Sequence, residues 1–164
     1  MRRLLILSAV LPVTALVVAG CGSSNSSSGS TSASTTTPAP TSRSATVDLR
    51  TTSLGRVLVD SSGHTLYLFE KDKGPRSTCA GACASAWPPV TTTGAPTAGM
   101  GVAAAQLKTT MGPEGKQVLY AGHPLYTYAG DSGPGQTTGE GLNQFGAEWY
   151  VLGANGGKIE KGGS

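Results

Sequence analysis

The strongest constraint on the fold is an internal duplication that spans residues 47–152. Residues 63–75 align with residues 122–134 at a constant offset of 59, and seven positions are identical. The flanks extend the match: residues 49–52 align with 107–110, residues 57–59 align with 118–120, and Trp87 aligns with Trp149 after a three-residue insertion. A fixed repeat period indicates a structural unit present more than once. The sequence therefore predicts two copies of one unit.

The copies define the organisation of the folded head. We place unit one at residues 47–90, a linker at 91–104 and unit two at 105–152. Within each unit, Val, Thr, Tyr and Phe dominate short segments that Gly and Ser punctuate, which is typical of strands and turns. In the segment 65–70, Tyr67 and Phe69 alternate with Leu66 and Leu68, so both faces of this strand are apolar. We expect a central strand that is covered on both sides.

The predicted fold is mainly β, with two tandem repeats of about four short strands each. A four-stranded unit of this size buries too little apolar surface to be stable alone. The two copies are therefore predicted to share one core, as a pseudo-symmetric sandwich or barrel. Residues 79–86 are the one segment for which a helical turn is expected.

The N-terminus carries the signature of an exported protein. Arg2 and Arg3 precede an apolar run at residues 4–18, whose length of about 15 fits a signal peptide better than a spanning helix of roughly 20. The run ends in Val18, Ala19, Gly20 and Cys21, which resembles the lipobox of bacterial lipoproteins. The resemblance implies that residues 1–20 are a signal peptide. It also implies that Cys21 is lipidated and holds the protein on the outer face of a membrane.

A polar tether is predicted between the anchor and the head. Of the 25 residues 22–46, 16 are Ser or Thr and one, Arg43, is charged. Such a segment buries too little apolar surface to offset its ordering entropy, and as a flexible coil it spans roughly 25–30 Å. With Cys21 it forms the predicted anchor and tether at residues 21–46. The Gly-rich residues 153–164 are predicted to be a flexible tail.

The repeat motif carries a family resemblance. Tyr67, Phe69 and Asp72 in unit one, and Tyr126, Tyr128 and Asp131 in unit two, both fit Tyr-x-aromatic-x-x-Asp. Together with the Cys79–Cys83 spacing and the Trp-Pro-Pro that follows, the motif resembles the bacterial secreted-repeat lipoproteins known by it. The activity of that family is largely unknown, so the resemblance implies little about function. Unit two departs from the pattern, because it lacks the cysteine pair.

Two interpretations of Cys79 and Cys83 remain open. Thiols outside the cytoplasm tend to oxidise, so a disulfide across this short loop is the first. The second is a copper or thiol-redox site, because the Cys-x-x-x-Cys spacing is similar to that of Sco-type copper chaperones, in which soft thiolates select copper. Such a site would need a histidine, either His64 or His123. The first interpretation predicts no cofactor and the second predicts copper.

The remaining candidates favour structural roles. His64 and His123 each follow a glycine before a strand and are expected to be exposed turn residues. Asp72 and Asp131 each precede x-Gly-Pro, where a carboxylate accepts backbone N–H groups and holds the turn, although a catalytic pair or a cation site is the alternative. The four aromatic side chains of the motif and the two tryptophans, Trp87 and Trp149, are expected in the core rather than on a ligand platform. We find no nucleophile elbow, phosphate loop or zinc-protease motif, so no enzymatic activity is predicted.

Charge argues against nucleic acid as a partner. The chain has 12 Lys and Arg against nine Asp and Glu, and removal of Arg2 and Arg3 would leave ten against nine, a net charge of +1. A phosphate-tracking surface needs a clear basic excess. The sequence therefore predicts an extracytoplasmic lipoprotein that displays a duplicated binding or structural module, with its partner unknown. An accessory protein for copper or thiol redox chemistry is the alternative.

Overall fold

A computed structural model describes residues 44–160, in which the regular secondary structure consists almost entirely of short β-strands. The strands are β1 (Thr46–Thr52), β2 (Gly55–Asp60), β3 (Tyr67–Phe69), β4 (Thr97–Ala98), β5 (Leu107–Gly112), β6 (Gly115–Tyr120), β7 (His123–Pro124), β8 (Leu142–Gln144), β9 (Ala147–Leu152) and β10 (Lys158–Ile159). The helix α1 (Ala82–Ala86) lies inside the segment predicted to hold a helical turn. The predicted signal peptide, Cys21, tether residues 22–43 and tail residues 161–164 lie outside the described part.

The strands form three small sheets. Their orders are β2-β1-β4, β10-β9-β3 with β8 also paired to β9, and β5-β6-β7. Within residues 44–160 none of these sheets closes on itself, so the arrangement is sandwich-like rather than a barrel. The mainly β prediction is confirmed, and the ten strands exceed the predicted eight because the linker and the C-terminal segment each add a short edge strand.

Each unit opens with a tight β-hairpin. β1 pairs antiparallel with β2 and places Thr52 opposite Gly55, and β5 pairs with β6 and places Gly112 opposite Gly115. Gly55 and Gly115 have φ angles of +94° and +117°, a region that L side chains rarely adopt. The glycine at the end of each turn therefore allows the second strand to fold back on the first.

The hairpins correct part of the sequence alignment. The N–H of Leu66 donates to the carbonyl of Leu58, and the N–H of Leu125 donates to that of Val118, so Leu58 corresponds to Val118. Residues 57–59 were therefore aligned one position too late in unit two, and residues 49–52 two positions too early. Strands with adjacent apolar residues permit several alignments, and only the hydrogen-bond ladder fixes the register.

The two units exchange strands at their centre. β3 of unit one pairs with β9 of unit two, with Phe69 opposite Trp149. At the symmetry-related position, Tyr126 of unit two forms an isolated antiparallel bridge with Pro89 of unit one. Between them, the backbone N–H of Tyr67 donates to the carbonyl of Tyr126 at 2.8 Å, and that of Tyr126 donates back at 3.1 Å. The pseudo-symmetry axis therefore passes between these two tyrosines.

Residues 87–90 of unit one form only an isolated bridge, at Pro89, instead of a strand. Proline has no backbone N–H, so neither Pro88 nor Pro89 can donate to a ladder. Their carbonyl groups can still accept hydrogen bonds, and the carbonyl of Pro88 accepts one from the N–H of Thr127 at 2.9 Å. The equivalent residues of unit two contain no proline and form the full strand β9.

Three predicted boundaries need correction. Residues 91–104 were predicted to be a linker only, but β4 lies there and pairs parallel with β1. Ala45 and Thr46 were assigned to the tether, but the Ala45 N–H donates to Thr92 Oγ1 at 3.2 Å and Thr46 begins β1. Residues 153–164 were predicted to be a flexible tail, but β10 pairs with β9. Short, Gly-rich edge strands give too little apolar pattern to be detected in the sequence.

Both units contribute to both halves of the core. Tyr67 and Phe69 pack into one cluster, whereas Leu66 and Leu68 pack into the other, as the alternation predicted. The first cluster is dominated by aromatic residues and the second by aliphatic ones. All three residues of β3 are buried, which confirms that it is a central strand covered on both faces. The predicted shared core is therefore present.

Candidate functional site

The candidate site is the aromatic centre at the pseudo-symmetry axis, which we call the aromatic array. The rings of Trp87 and Trp149 are stacked, with centroids 4.0 Å apart and planes 5° from parallel. Each tryptophan carries a further ring from the other unit on its outer face, Phe69 on Trp149 at 4.0 Å and Tyr128 on Trp87 at 4.3 Å. The result is a continuous stack of four rings.

Two further rings contact this stack edge-on. The ring of Tyr67 lies 5.3 Å from that of Trp87 at 78°, and the ring of Tyr126 lies 5.1 Å from that of Trp149 at 86°. These are the edge-to-face geometries that aromatic quadrupoles prefer. All members are buried except Tyr128, which is partly exposed. The expectation that the motif aromatics form core is confirmed.

The motif tyrosines and aspartates are paired across the units, not within them. Tyr67 donates its hydroxyl hydrogen to Asp131 Oδ2 at 2.7 Å, and Tyr126 donates to Asp72 Oδ2 at 2.6 Å. Both carboxylates are buried, with exposures of 7% and 8%. A buried carboxylate is tolerated only with hydrogen-bond donors, and the other copy supplies one of them. Each motif is therefore complete only when both copies are present.

A threonine in the same unit supplies the other donors to each aspartate. Asp72 Oδ1 accepts the N–H and the hydroxyl of Thr78, both at 2.7 Å. Asp131 Oδ1 accepts the N–H and the hydroxyl of Thr138, at 2.9 and 2.6 Å. Each aspartate thus accepts a backbone N–H, as predicted, but the donor lies six or seven residues downstream, so the carboxylate closes a longer loop than the predicted turn. The threonines were missed in the sequence, where Asp-x5-Thr and Asp-x6-Thr differ in spacing.

Burial and the carboxylates change the acidity of both phenols. Burial raises the pKa of Tyr67 above its usual value, and the hydrogen bond to Asp131 raises it further. Burial likewise raises the pKa of Tyr126, and the hydrogen bond to Asp72 adds to this shift. Both phenols therefore stay in the neutral form, and each donates its hydrogen to a carboxylate oxygen.

The indole N–H groups have different partners. Trp87 donates to the side-chain amide oxygen of Gln144 at 2.9 Å, and Trp149 donates to the backbone carbonyl of the same residue at 3.2 Å. One residue of β8 therefore fixes both tryptophans. No sequence pattern signals this role, because Gln144 lies between Thr138 and Trp149, where the two units differ in length.

Cys79 and Cys83 form a disulfide, which confirms the first of the two interpretations. Their Cα atoms are 5.2 Å apart, and both residues are buried in the cluster that contains the aromatic array. The bond joins the segment before α1 to Cys83, the second residue of the helix. The N–H of Trp87 then donates to the carbonyl of Cys83 at 2.7 Å. The disulfide therefore restrains the segment that leads to Trp87.

Within residues 44–160, neither histidine side chain is hydrogen-bonded to Cys79 or Cys83. His64 is partly exposed, and its Nδ1 lies 3.4 Å from Asp60 Oδ2. The prediction of an exposed turn residue is wrong for His123, which is half-buried and pairs with β6 as part of β7. Among residues 44–160 there is no group of three or more His, Cys, Asp or Glu side chains arranged to hold a metal ion. A copper site at Cys79, Cys83, His64 and His123 would require the reduced thiols, and it stays a prediction.

His123 instead lines an open surface cleft of about 350 Å³. Most of the charged residues around it come from the end of β3 and from β10: Glu70, Asp72, Lys73 and Lys158. Lys158 is engaged by Glu70 at 2.8 Å and Glu160 at 2.7 Å. The cleft combines both signs of charge with the apolar edge of β3. The cleft lies beside the motif residues Phe69 and Asp72.

Together, the duplicated strands, the reciprocal tyrosine–aspartate pairs and the shared tryptophan stack define a class of protein, a β-rich protein made of two interlocked repeats. Comparison with protein families matches residues 49–91 and 108–152 to one described as a secreted repeat of unknown function. These segments make up more than half of the chain, and the protein belongs to this family. The predicted resemblance is thereby confirmed, and the repeats place the protein outside the cytoplasm.

Two further comparisons add nothing to this assignment. No curated protein and no solved structure matches the chain significantly. Of the helices within residues 44–160, none has both the length and the apolar character needed to cross a bilayer.

Proposed function

We propose that this protein is a lipoprotein, anchored through a lipid on Cys21, that displays its duplicated head outside the cell membrane. The observation that carries the proposal is the order of segments along the chain. An apolar run of signal-peptide length leads directly to Val-Ala-Gly-Cys, a Ser/Thr-rich segment follows, and the fold begins at Ala45. One acyl chain gives only marginal membrane binding, so stable anchoring requires at least two.

The head acts in this proposal as a binding or structural module without catalysis. The side chains that most resemble catalytic groups, Asp72 and Asp131, are buried and engaged by tyrosine and threonine donors. Catalysis needs acidic or nucleophilic groups that a substrate can reach. The motif residues serve instead to lock the two units into one rigid body. The surface cleft at Lys73, His123 and Lys158 is the proposed binding surface.

Metabolic labelling with a fatty acid tests the anchor. The wild-type chain should incorporate the label and remain with the membrane fraction, and Cys21→Ser should lose the label and be released or remain as uncleaved precursor. The matched control is Cys79→Ser/Cys83→Ser, which removes two cysteines from the head and should leave labelling unchanged. An unlabelled wild-type chain would overturn the anchor.

Sedimentation with envelope material tests the proposed binding surface. The purified full chain carrying Cys21→Ser is mixed with peptidoglycan sacculi or with vesicles of anionic phospholipid. Binding through the cleft predicts that Lys73→Ala/Lys158→Ala lowers the bound fraction. The control Lys108→Ala/Lys116→Ala removes two lysines of the β5–β6 hairpin and should not. Equal binding by both variants would show that the binding surface lies outside the cleft. No binding to either material would favour a structural role.

A further inference from the structure

The aromatic array has a second property that is independent of its role in packing. Its six rings form one connected set of contacts between 4.0 and 5.3 Å from centroid to centroid. Five of the six are the oxidisable types Tyr and Trp. Electrons move rapidly between aromatic rings in van der Waals contact, so an electron removed from one ring can be replaced from its neighbour. The array is therefore a continuous path for single-electron transfer across both units.

The hydrogen-bond partners separate the tyrosines from the tryptophans. Tyr67 and Tyr126 each face a carboxylate oxygen at 2.7 and 2.6 Å, and a carboxylate is a base that can take a proton. A phenol becomes a much better electron donor when its proton can leave along with the electron. Both indole N–H groups instead face amide oxygens of Gln144, which are very weak bases. An oxidised tryptophan here would keep its proton and remain a strong oxidant towards the tyrosines.

The surroundings of the phenols also suit the oxidised form. The Gly139 N–H donates to the Tyr67 oxygen at 3.3 Å, and Ser77 Oγ lies 2.7 Å from the Tyr126 oxygen. Each oxygen would therefore keep a hydrogen-bond partner after its own proton had moved to aspartate. Tyr67 and Tyr126 are both fully buried, which shields them from solutes that would otherwise react with a radical.

Access from the surface is provided at one end of the stack. Tyr128 is the partly exposed member of the array, and its ring is stacked on Trp87. An oxidant that cannot enter the core can still reach this ring. The order from the surface inwards is therefore Tyr128, then Trp87 and Trp149, with Tyr67 and Tyr126 at their edges.

We propose that the head is a proton-coupled one-electron donor to oxidants outside the cell membrane. An outer-sphere one-electron oxidant takes one electron from the array at Tyr128 or Trp87, and its own oxidation state falls by one. Tyr67 refills the resulting vacancy and becomes a neutral phenoxyl radical, while its proton moves to Asp131 Oδ2. Tyr126 and Asp72 perform the equivalent step through Trp149. A one-electron reductant in the medium, together with return of the proton, restores the phenol.

Flash photolysis of the purified full chain tests this proposal. Tris(bipyridyl)ruthenium(III), generated by a light flash with a cobalt(III) ammine quencher, serves as the oxidant. Transient absorption should show a tryptophan radical that decays into a tyrosyl radical, and freeze-quench electron paramagnetic resonance should identify the latter. The second step should be slower in deuterium oxide, because a proton moves with the electron, and a purely structural array would not produce that isotope effect.

Matched variants locate the donors. Tyr67→Phe/Tyr126→Phe is made in a Tyr128→Phe background, because Tyr128 is itself a tyrosine stacked on Trp87. This variant keeps all six rings and should abolish the decay into a tyrosyl radical, so the tryptophan radical persists. Two other tyrosines are controls: Tyr150 donates to the Glu148 carboxylate at 2.8 Å, and Tyr120 donates to the backbone carbonyl of Ala154 at 2.8 Å. Neither has a ring contact with the array among the described residues. Tyr150→Phe and Tyr120→Phe should leave the decay unchanged.

Several outcomes would overturn the proposal. They are a tryptophan radical that never passes its vacancy to tyrosine, a decay without a deuterium effect, or a tyrosyl signal that disappears in Tyr150→Phe instead. If Tyr67→Phe/Tyr126→Phe loses its near-ultraviolet circular dichroism, the wild-type isotope effect and the two control variants still decide the result. Fatty-acid labelling of Cys21 is a separate measurement, so failure here leaves the anchor unaffected.

Discussion

The two units reach their tryptophans by different routes from the same starting point. In unit one, the chain leaves Thr78 and passes through the Cys79–Cys83 disulfide and the helix α1 to Trp87. In unit two, it leaves Thr138 and passes through the β8–β9 hairpin to Trp149, and the Val151 N–H donates to the buried Glu140 at 2.7 Å. Both routes deliver an indole to the same stack.

The position after each threonine shows why the routes differ. Cys79 follows Thr78, whereas Gly139 follows Thr138. A Cβ atom at Gly139 would lie 2.7 Å from Trp87 Cη2, which is closer than packed atoms tolerate. Unit two therefore cannot accommodate a cysteine there and stabilises its connection with a hairpin. The comparison teaches that the tyrosine, aspartate, threonine and tryptophan are the common requirement, and that the disulfide is a local solution in one copy.

Removal of either tryptophan is expected to have the largest effect. Trp87→Ala or Trp149→Ala should each lower the free energy of unfolding by about 3–5 kcal/mol, because a large fully buried side chain is lost. Urea denaturation of the full chain measures this, with Met111→Ala as the control, since Met111 is 72% exposed. If the units share one core, each variant should unfold in a single transition. Two transitions would show that the units fold separately.

Loss of a motif hydroxyl is expected to have the next largest effect. Tyr67→Phe leaves Asp131 Oδ2 without its donor inside the core, so the free energy of unfolding should fall by about 1–3 kcal/mol. A double-mutant cycle sharpens the comparison of the units. Tyr67→Phe should couple with Asp131→Asn across the units, and it should be additive with Asp72→Asn in its own unit. Coupling within the unit would contradict the exchange.

The repeat and the exchange were not equally predictable. The identical Gly, His, Leu and Tyr positions located the central strand, and alternation along it assigned Tyr67 and Leu66 to opposite faces. The partner of Asp72 could not be predicted, because sequence spacing limits only contacts within a unit, whereas Tyr126 reaches it through the pseudo-symmetry of the assembled sheets. The role of Gln144 was equally unpredictable, because its hydrogen bonds to the two tryptophans depend on where the β8–β9 hairpin places it.

Removal of the disulfide should cost less than loss of a tryptophan. Cys79→Ala/Cys83→Ala opens a loop of only five residues, so the chain-entropy estimate is about 2 kcal/mol at 25 °C. Urea denaturation with and without a reductant measures it, and the variant itself, which has no such bond, is the control for non-specific effects of the reductant. The tyrosine–aspartate pairs should persist in the variant. A loss similar to that of Trp87→Ala would mean that unit one depends on its disulfide for folding.

Alkaline pH should act on both units at once. The pKa values of Tyr67 and Tyr126 are raised in the folded chain, so the unfolded chain loses these protons first as the pH rises. The stability that they provide is complete below pH of about 10 and should fall above it by about 1.4 kcal/mol per pH unit for each tyrosine. Tyr67→Phe/Tyr126→Phe should flatten this slope, although the hydrogen bond to Glu148 still raises the pKa of Tyr150 to about 12. An unchanged slope would assign it to other groups.

The turn of the unit-two hairpin should give the smallest effect, and one of opposite sign. Phe145 has a φ of +57° and is 41% exposed, so it adopts a left-handed conformation without the packing that would justify it. This conformation costs a bulky L-residue about 1–2 kcal/mol, whereas asparagine tolerates it in two-residue hairpin turns followed by glycine. Phe145→Asn should therefore raise the free energy of unfolding by up to about 1 kcal/mol, part of the gain being offset by lost apolar contact.

The control for this turn is Phe145→Ala, which removes the ring but keeps an ordinary L-residue at the left-handed position. It should leave stability unchanged or lower it slightly, because the backbone cost remains while the apolar contact is lost. Thermal unfolding of the two variants beside the wild type measures the difference. If Phe145→Asn were also destabilising, the exposed ring would contribute more to the hairpin than the backbone cost removes. The hairpin would then rely on a side-chain contact at its tip, much as unit one relies on its disulfide.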